Sequence, residues 1–376
     1  MSFARAVLVG ATLVLVAGCS GGGAPDREPV ASPTVVTTKA PFGIDVPAGT
    51  SGSMVAARDG ELVSCAGWGA SDRAAGTAAG CDTVYDIGSI TKQFTAAAVL
   101  TLEGDGRLRV TDRIDTYFDG VPPDKRAITI EHLLTHTSGL VDVLGGDYEA
   151  VSRSDLETAA LGSALVSAPG EAYLYSNVGY SLLAAIIERV SGVDYEVYLA
   201  RSLFEPAGMT STGYVLPDWE RSTIAIEYDA AGASHGRPNE QPWAADGPYW
   251  NLRGNGGLLS TPRDIFRWHL ALEGDRILDH DAKVELFAPR VREEPRGDTF
   301  AAFGWVTQET SVGRLLWHNG GNGLSYAELA RIPDAELMVF WVTNAVRGRE
   351  PAWNLEKRGQ QITEGMVGRL LAASDQ

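Results

Sequence analysis

Gly88-Ser89-Ile90-Thr91-Lys92 sets a hydroxyl and an amine three residues apart. On a helix that spacing puts both on one face. A serine at a helix N-terminus feels the positive end of the dipole, which favours an alkoxide or a nearby oxyanion. A desolvated lysine loses its proton more readily and can accept one from the hydroxyl. The plainer reading is a capping serine beside a solvated lysine. Location argues for chemistry: a charged lysine in the first turn of an almost wholly apolar helix is costly without a purpose. Tyr175-Ser176-Asn177 is a second site. Ser176 or Asn177 would cap the helix that follows. Tyr175 has no such duty, and an adjacent ammonium would favour its phenolate. Asn177 offers one donor group and one acceptor to a substrate amide. His318-Asn319-Gly320-Gly321 is the third. Glycines there admit a ligand close to a strand edge, and peptide N–H groups could face an oxyanion. A hairpin turn with an ordinary surface histidine is the alternative.

These sites need elements to hold them. Met54 to Cys65 reads as two strands joined at Asp59-Gly60, a strong hairpin signal. Thr83 to Ile87 is strand-like, and a helix apolar nearly all round, hence buried, follows from Thr91 to about Leu102. Pro122-Pro123, Gly145-Gly146 and Pro169-Gly170 punctuate a helical middle, in which Tyr180 to Val190 has helical periodicity and stops at Gly192. After Gly313 come three strand-like runs, RLLWH, YAELARI and ELMVFWVTN. An amphipathic helix from Asn354 to Ala373 closes the chain. Strands at both ends around a helical middle predict an α/β layer carrying an inserted helical lobe over about 105–255.

Composition removes several classes. The 376 residues carry 31 basic and 48 acidic side chains, a net charge of −17. No face can present the basic stripe that nucleic acid requires. Hydrophobic content of 44% excludes wholesale disorder. Three cysteines are too few for a four-thiolate zinc site.

The N-terminus reads as an address. Arg5 precedes an apolar run, Ala6 to Val16, too short to span a bilayer. Leu15-Val16-Ala17-Gly18-Cys19 resembles the bacterial lipobox. That resemblance implies a signal peptide over 1–18, lipidation of Cys19 and attachment to the cell membrane. Residues 19–41 are Ser/Gly/Ala/Pro/Thr-rich and read as a flexible tether, leaving 42–376 as the folded domain. In an oxidising compartment Cys65 and Cys81 are expected to form a disulfide worth about 3 kcal/mol.

Together the three sites resemble the motifs of the serine β-lactamase and penicillin-binding-protein-like hydrolases, in particular the class C β-lactamase and D,D-carboxypeptidase branch. S-x-x-K falls on Ser89 and Lys92, Y-x-N on Tyr175 and Asn177, and the K/H-x-G triad on His318 and Gly320. HLLTHTSGL from His132 and GNGGLLSTPRDIFRW from Gly254 are similar to the family too. The likeness runs from about Val46 to the C-terminus. It implies a β-lactamase-like fold, an antiparallel sheet flanked by helices. It implies Ser89 as nucleophile of an acyl-enzyme, with Lys92 and Tyr175 sharing acid and base roles. Asn177 would orient the substrate amide or the lysine, and the N–H groups of Ser89 and Gly321 would form the oxyanion hole. His318 departs from the lysine usual among these β-lactamases, and so holds an anionic substrate less strongly at neutral pH. The expected substrate is a small molecule or peptide with an amide or ester bond. No metal or organic cofactor is needed. A carboxylesterase of the same fold and a binding lipoprotein are the rival readings.

Other motifs carry less. Ser234 sits in a G-x-S-x-G match without the helix a nucleophile elbow needs. His132 and His136 have metal-compatible spacing but no evident third ligand. Trp243, Tyr249 and Trp250 are expected to pack, with Tyr249 or Trp250 a secondary candidate for lining the cleft.

Overall fold

The computed structural model describes residues 37–348 and 353–372. The expected signal peptide, the lipidated Cys19 and most of the tether lie outside the described residues. The tether's end does not: Thr37–Lys39 pairs antiparallel with Asp45–Pro47, a few residues before the expected boundary.

The Asp59-Gly60 turn joins β1 (Gly52–Arg58) to β2 (Glu61–Trp68). Far along the chain follow β3 (Val291–Arg292), β4 (Thr299–Ala301), β5 (Val306–Thr310), β6 (Gly313–Gly321), β7 (Tyr326–Ile332) and β8 (Leu337–Thr343). They form one antiparallel sheet in the order β2-β1-β8-β7-β6-β5-β4-β3. Chain ends thus meet at its centre, where β1 pairs with β8. Alternation along β8 shows how the layers form. Met338, Phe340 and Val342 face the larger core, and Leu337, Val339 and Trp341 face the smaller one. With apolar residues on both faces, β8 can only be a central strand.

Helices cover both faces. On one side lie α1 (Thr91–Gly104), α2 (Ile130–Leu134), α3 (Arg153–Gly162), α4 (Asn177–Ser191) and α5 (Pro262–Glu273). On the other lies α6 (Gly359–Ala372). Ser176 caps α4 by accepting from Gly179 N, and Gly192 ends it at φ 77°. Among the described residues, 105–255 adds no strand to the large sheet.

Two expected boundaries shift. The strand over Thr83–Ile87 shrinks to Tyr85–Asp86, paired only with Leu259–Ser260. The closing helix starts at Gly359, because Trp353–Asn354 is taken up by a two-residue ladder with Arg347–Gly348. Cys65 and Cys81 form a disulfide with Cα atoms 5.3 Å apart. It ties β2 to the segment leading to Ser89.

Candidate active site

Ser89 lies in a 3₁₀ turn, Gly88–Ile90, that runs directly into α1. Lys92, one turn on, is completely buried. Its Nζ donates to Asn177 Oδ1 at 2.7 Å and to the Asn255 carbonyl at 2.7 Å, and lies 3.0 Å from Ser89 Oγ. Burial pulls the amine down to about 7, against the opposing pull of Asp142 and Asp147. A neutral amine has two N–H groups and one lone pair. The two amide oxygens use both N–H groups, which leaves the lone pair for the Ser89 hydroxyl proton.

Tyr175 reaches the same oxygen from the other side, its Oη donating to Ser89 Oγ at 2.9 Å. Burial pushes this phenol above its ordinary value despite that bond. The expectation of a phenolate is therefore reversed: Tyr175 keeps its proton and is a donor. His136, in the left-handed region at φ 59°, stacks on the Tyr175 ring at 4.4 Å. Its Nδ1 accepts from Ser176 N.

Asn177 opens α4, and its amide is spent inside the protein. Oδ1 holds Lys92, and Nδ2 donates to Asp142 Oδ1 at 3.0 Å. Of the two expected roles, orienting the lysine is the one this geometry supports.

The third site meets the first through glycine. A Cβ on Gly320 would lie 2.2 Å from the Ile87 carbonyl and 2.4 Å from Ser89 N. One on Gly88 would lie 2.3 Å from Gly321 N. Only bare backbone permits this approach. Asn322 N donates to Ser325 O, so Gly321, next in register, is a non-bonded pair with Tyr326. Its N–H points away from β7, toward the Ser89 turn. The outer edge of β6 is free there, because β5 stops pairing at Trp317.

His318 needs correcting. It is buried, does not line the cleft, and its Nδ1 donates to the Asn319 carbonyl at 2.5 Å. Burial and the nearby Lys92 hold it down to about 4. It is neutral near pH 7 and offers a substrate carboxylate no charge. Ser89 and Tyr175 open instead on a cleft of about 260 Å³, walled by Asn319, Gly320, Gly321, Tyr326 and Arg347. Arg347, exposed and 3.4 Å from Glu356, is the cation among the described lining residues.

The remaining candidates serve elsewhere. His132 and Thr129 form a reciprocal helix cap. Ser234 is exposed and bridges antiparallel to Tyr228, and Tyr249 and Trp250 border a separate groove of about 330 Å³. Among the described residues no group of three or more His, Cys, Asp or Glu could hold a metal. Sequence reasoning missed Asp142, Asn255 and Arg347. Asn255 lay within the family-like GNGGLLS stretch, but Asp142 and Arg347 gave no local signal.

This catalytic-type serine, lysine and tyrosine on a helix-flanked antiparallel sheet is the arrangement of a β-lactamase-like serine hydrolase. The chain belongs to the Beta-lactamase family, whose model matches residues 48–360. It is 28% identical over 331 residues to penicillin-binding protein 4* of Bacillus subtilis, covering 84% of this chain and 72% of that one. The octameric penicillin-binding protein homologue from Pyrococcus abyssi is similar in structure, with TM-score 0.69 and 26% identity, covering 79% of this chain and 70% of that one. The D-amino acid amidase from Ochrobactrum anthropi SV3 shares the fold at TM-score 0.73 and 22% identity, covering 87% and 95%.

Proposed function

We propose that the chain is an exported, lipid-anchored serine hydrolase that cleaves amide bonds through an acyl-enzyme on Ser89. D-alanyl-D-alanine-type peptides and D-amino-acid amides are the substrate class. The observation that carries the reading is the Lys92 amine, buried, pulled down to about 7 and 3.0 Å from Ser89 Oγ.

The steps follow from the contacts. Ser89 gives its proton to the Lys92 lone pair as Oγ bonds to the carbonyl carbon. The carbonyl oxygen, now negative, is held by the N–H groups of Ser89 and Gly321. As the C–N bond breaks, the leaving nitrogen takes a proton through Tyr175 Oη, which is resupplied from Lys92. Water then attacks the ester, losing a proton to Lys92; as the ester C–O bond breaks, Lys92 returns that proton to Ser89 Oγ, and the acid leaves. With His318 neutral, Arg347, paired at 3.4 Å with Glu356 on the same cleft wall, is the cation placed to meet a substrate carboxylate. A carboxylesterase remains the second reading, favoured by that neutral His318.

Labelling with a fluorophosphonate and a fluorescent penicillin, beside Ser89→Ala, tests the reading. Wild type should react with the fluorophosphonate and Ser89→Ala with neither. No labelling of wild type defeats the enzyme reading, and labelling that survives Ser89→Ala defeats the nucleophile. Turnover of a nitrophenyl ester without any D-amino-acid amide moves the protein to the esterases. For the anchor, Cys19→Ala should release the protein or block its processing; unchanged membrane attachment refutes lipidation. Among the described residues no helix is long and apolar enough to cross a membrane.

A further inference from the structure

Behind the oxyanion hole lies a buried polar cluster that the chemistry above does not use. Asp86, three residues before the nucleophile, is buried, and its Oδ1 accepts from Gly88 N at 2.7 Å. Its Oδ2 accepts from Asn322 Nδ2 at 3.0 Å. The same Nδ2 donates to Glu227 Oε1 at 2.7 Å. Asn322 directly follows Gly321, and its Oδ1 accepts from Leu324 N and Ser325 N at 2.9 and 2.8 Å. One asparagine therefore fastens the turn beside one expected oxyanion donor to the turn beside the other.

One buried amide nitrogen thus bridges two carboxylates. Both Asp86 oxygens already accept N–H groups. Glu227 Oε2 and Ser325 Oγ are buried and face one another. Either the Ser325 hydroxyl or a protonated Glu227 Oε2 can donate across that contact. Among the described residues no cation pairs with either carboxylate. From the 142–149 segment Asp147 and Tyr148 face the pair, and from the 322–325 turn Asn322 and Ser325 do. Arg237, next to the Gly236 whose carbonyl holds Glu227 N, is spent on Asp72 at 3.1 Å and the Ile224 carbonyl. Two ionised carboxylates bridged by one amide in a buried site repel each other, so one stays protonated.

We propose that Asp86, Asn322 and Glu227 are positioning residues for the oxyanion hole, a clamp that holds the Ser89 and Gly321 N–H groups in register and closes only while its two carboxylates share one proton. The proposal rests on the Ser89 acyl-enzyme reading. Burial and the Glu227 charge push Asp86 up to about 7, so the clamp weakens on the alkaline side of neutrality.

The test uses the full chain with Asn322→Ala, Glu227→Gln and Glu227→Ala, read by ester kinetics and by melting temperature against pH. Asn322→Ala should lower kcat by at least tenfold, within the about 10²–10³ that an oxyanion donor contributes, with KM nearly unchanged. Glu227→Gln can donate to Ser325 Oγ permanently. It should keep kcat within a few fold of wild type near neutral pH and lose the alkaline decline, whereas Glu227→Ala should behave like Asn322→Ala. Raised carboxylates give stability that is complete below their unfolded value near 4 and is lost as pH rises through about 7. Wild type should therefore lose melting temperature across that window, and Glu227→Gln should lose less. Wild-type kinetics in Asn322→Ala, or a loss confined to KM, overturns the positioning role. Identical melting profiles in wild type and Glu227→Gln overturn the shared proton. Should wild type fail to react with the fluorophosphonate, the acyl-enzyme reading and the positioning role fall together, while the melting profiles still decide the proton.

Discussion

Replacing Asn177 with aspartate puts a carboxylate against the one amine whose charge decides the chemistry. Asn177 Oδ1 is 2.7 Å from Lys92 Nζ. With charge centres about 4 Å apart and an effective dielectric of about 20, the new attraction is about 4 kcal/mol. At 1.36 kcal/mol per unit this raises the lysine by about three units. Its starting value is about 7, so the new one is near 10 on this scale. On the proposed chemistry neutral Lys92 is the active form, so activity should rise with pH through its pKa. At neutral pH the variant should therefore acylate about 10²–10³-fold more slowly, the lower end reflecting repulsion from Asp142, which sits 3.0 Å from Asn177 Nδ2. Alkaline pH should restore most of the rate. The assay is single-turnover acylation by a nitrophenyl ester, with the acid limb of the profile fitted for both proteins. An unmoved limb with the rate lost at every pH would refute the reasoning and return Asn177 to a direct role on the substrate. An unmoved limb with an unchanged rate would remove Lys92 as the base.

Asp142→Asn should move the same limb the opposite way, because Asp142 now raises Lys92; titrating the acylation rate checks the direction. Tyr175→Phe deletes the 2.9 Å donor to Ser89 Oγ and should slow acylation by about 10² or more, read in the same stopped-flow traces. Gly88→Ala puts a methyl 2.3 Å from Gly321 N, so fluorophosphonate labelling should fall sharply and the melting temperature should drop. Reducing the Cys65–Cys81 bridge, which closes a 16-residue separation, should cost about 3 kcal/mol, measured as a lower denaturant midpoint.

The parts of the fold legible in the sequence were those with one period and clear punctuation. The Asp59-Gly60 hairpin, the apolar helix after Ser89 and the three strands after Gly313 are of this kind. Strand order was not legible by period, since β1 joins β8 across nearly the whole domain. At the site, the motif residues could be named because local spacing marks them. Their protonation could not, because it depends on burial by distant segments. His318 reads as a weak cation until β6 is seen to bury it beside Lys92. Tyr175 reads as a possible phenolate until its desolvation is counted. Asp142, Asn255 and Asn322 work through contacts from other loops, which no local spacing encodes.

The bare-backbone seam between Gly88 and Gly320-Gly321 also dictates an order of events in the life of the molecule. Ser89, Lys92 and Tyr175 are all synthesised early and α1 packs against α4, but the Ser89 turn packs on β6 and β7. The second N–H that the proposed chemistry needs arrives only with β6. A chain stalled or cut before Gly313 lacks both the Gly321 N–H and the strands that seat the Ser89 turn. Completion of the sheet thus acts as a built-in licence: on the proposed chemistry the hydrolase stays silent until its final strands have docked.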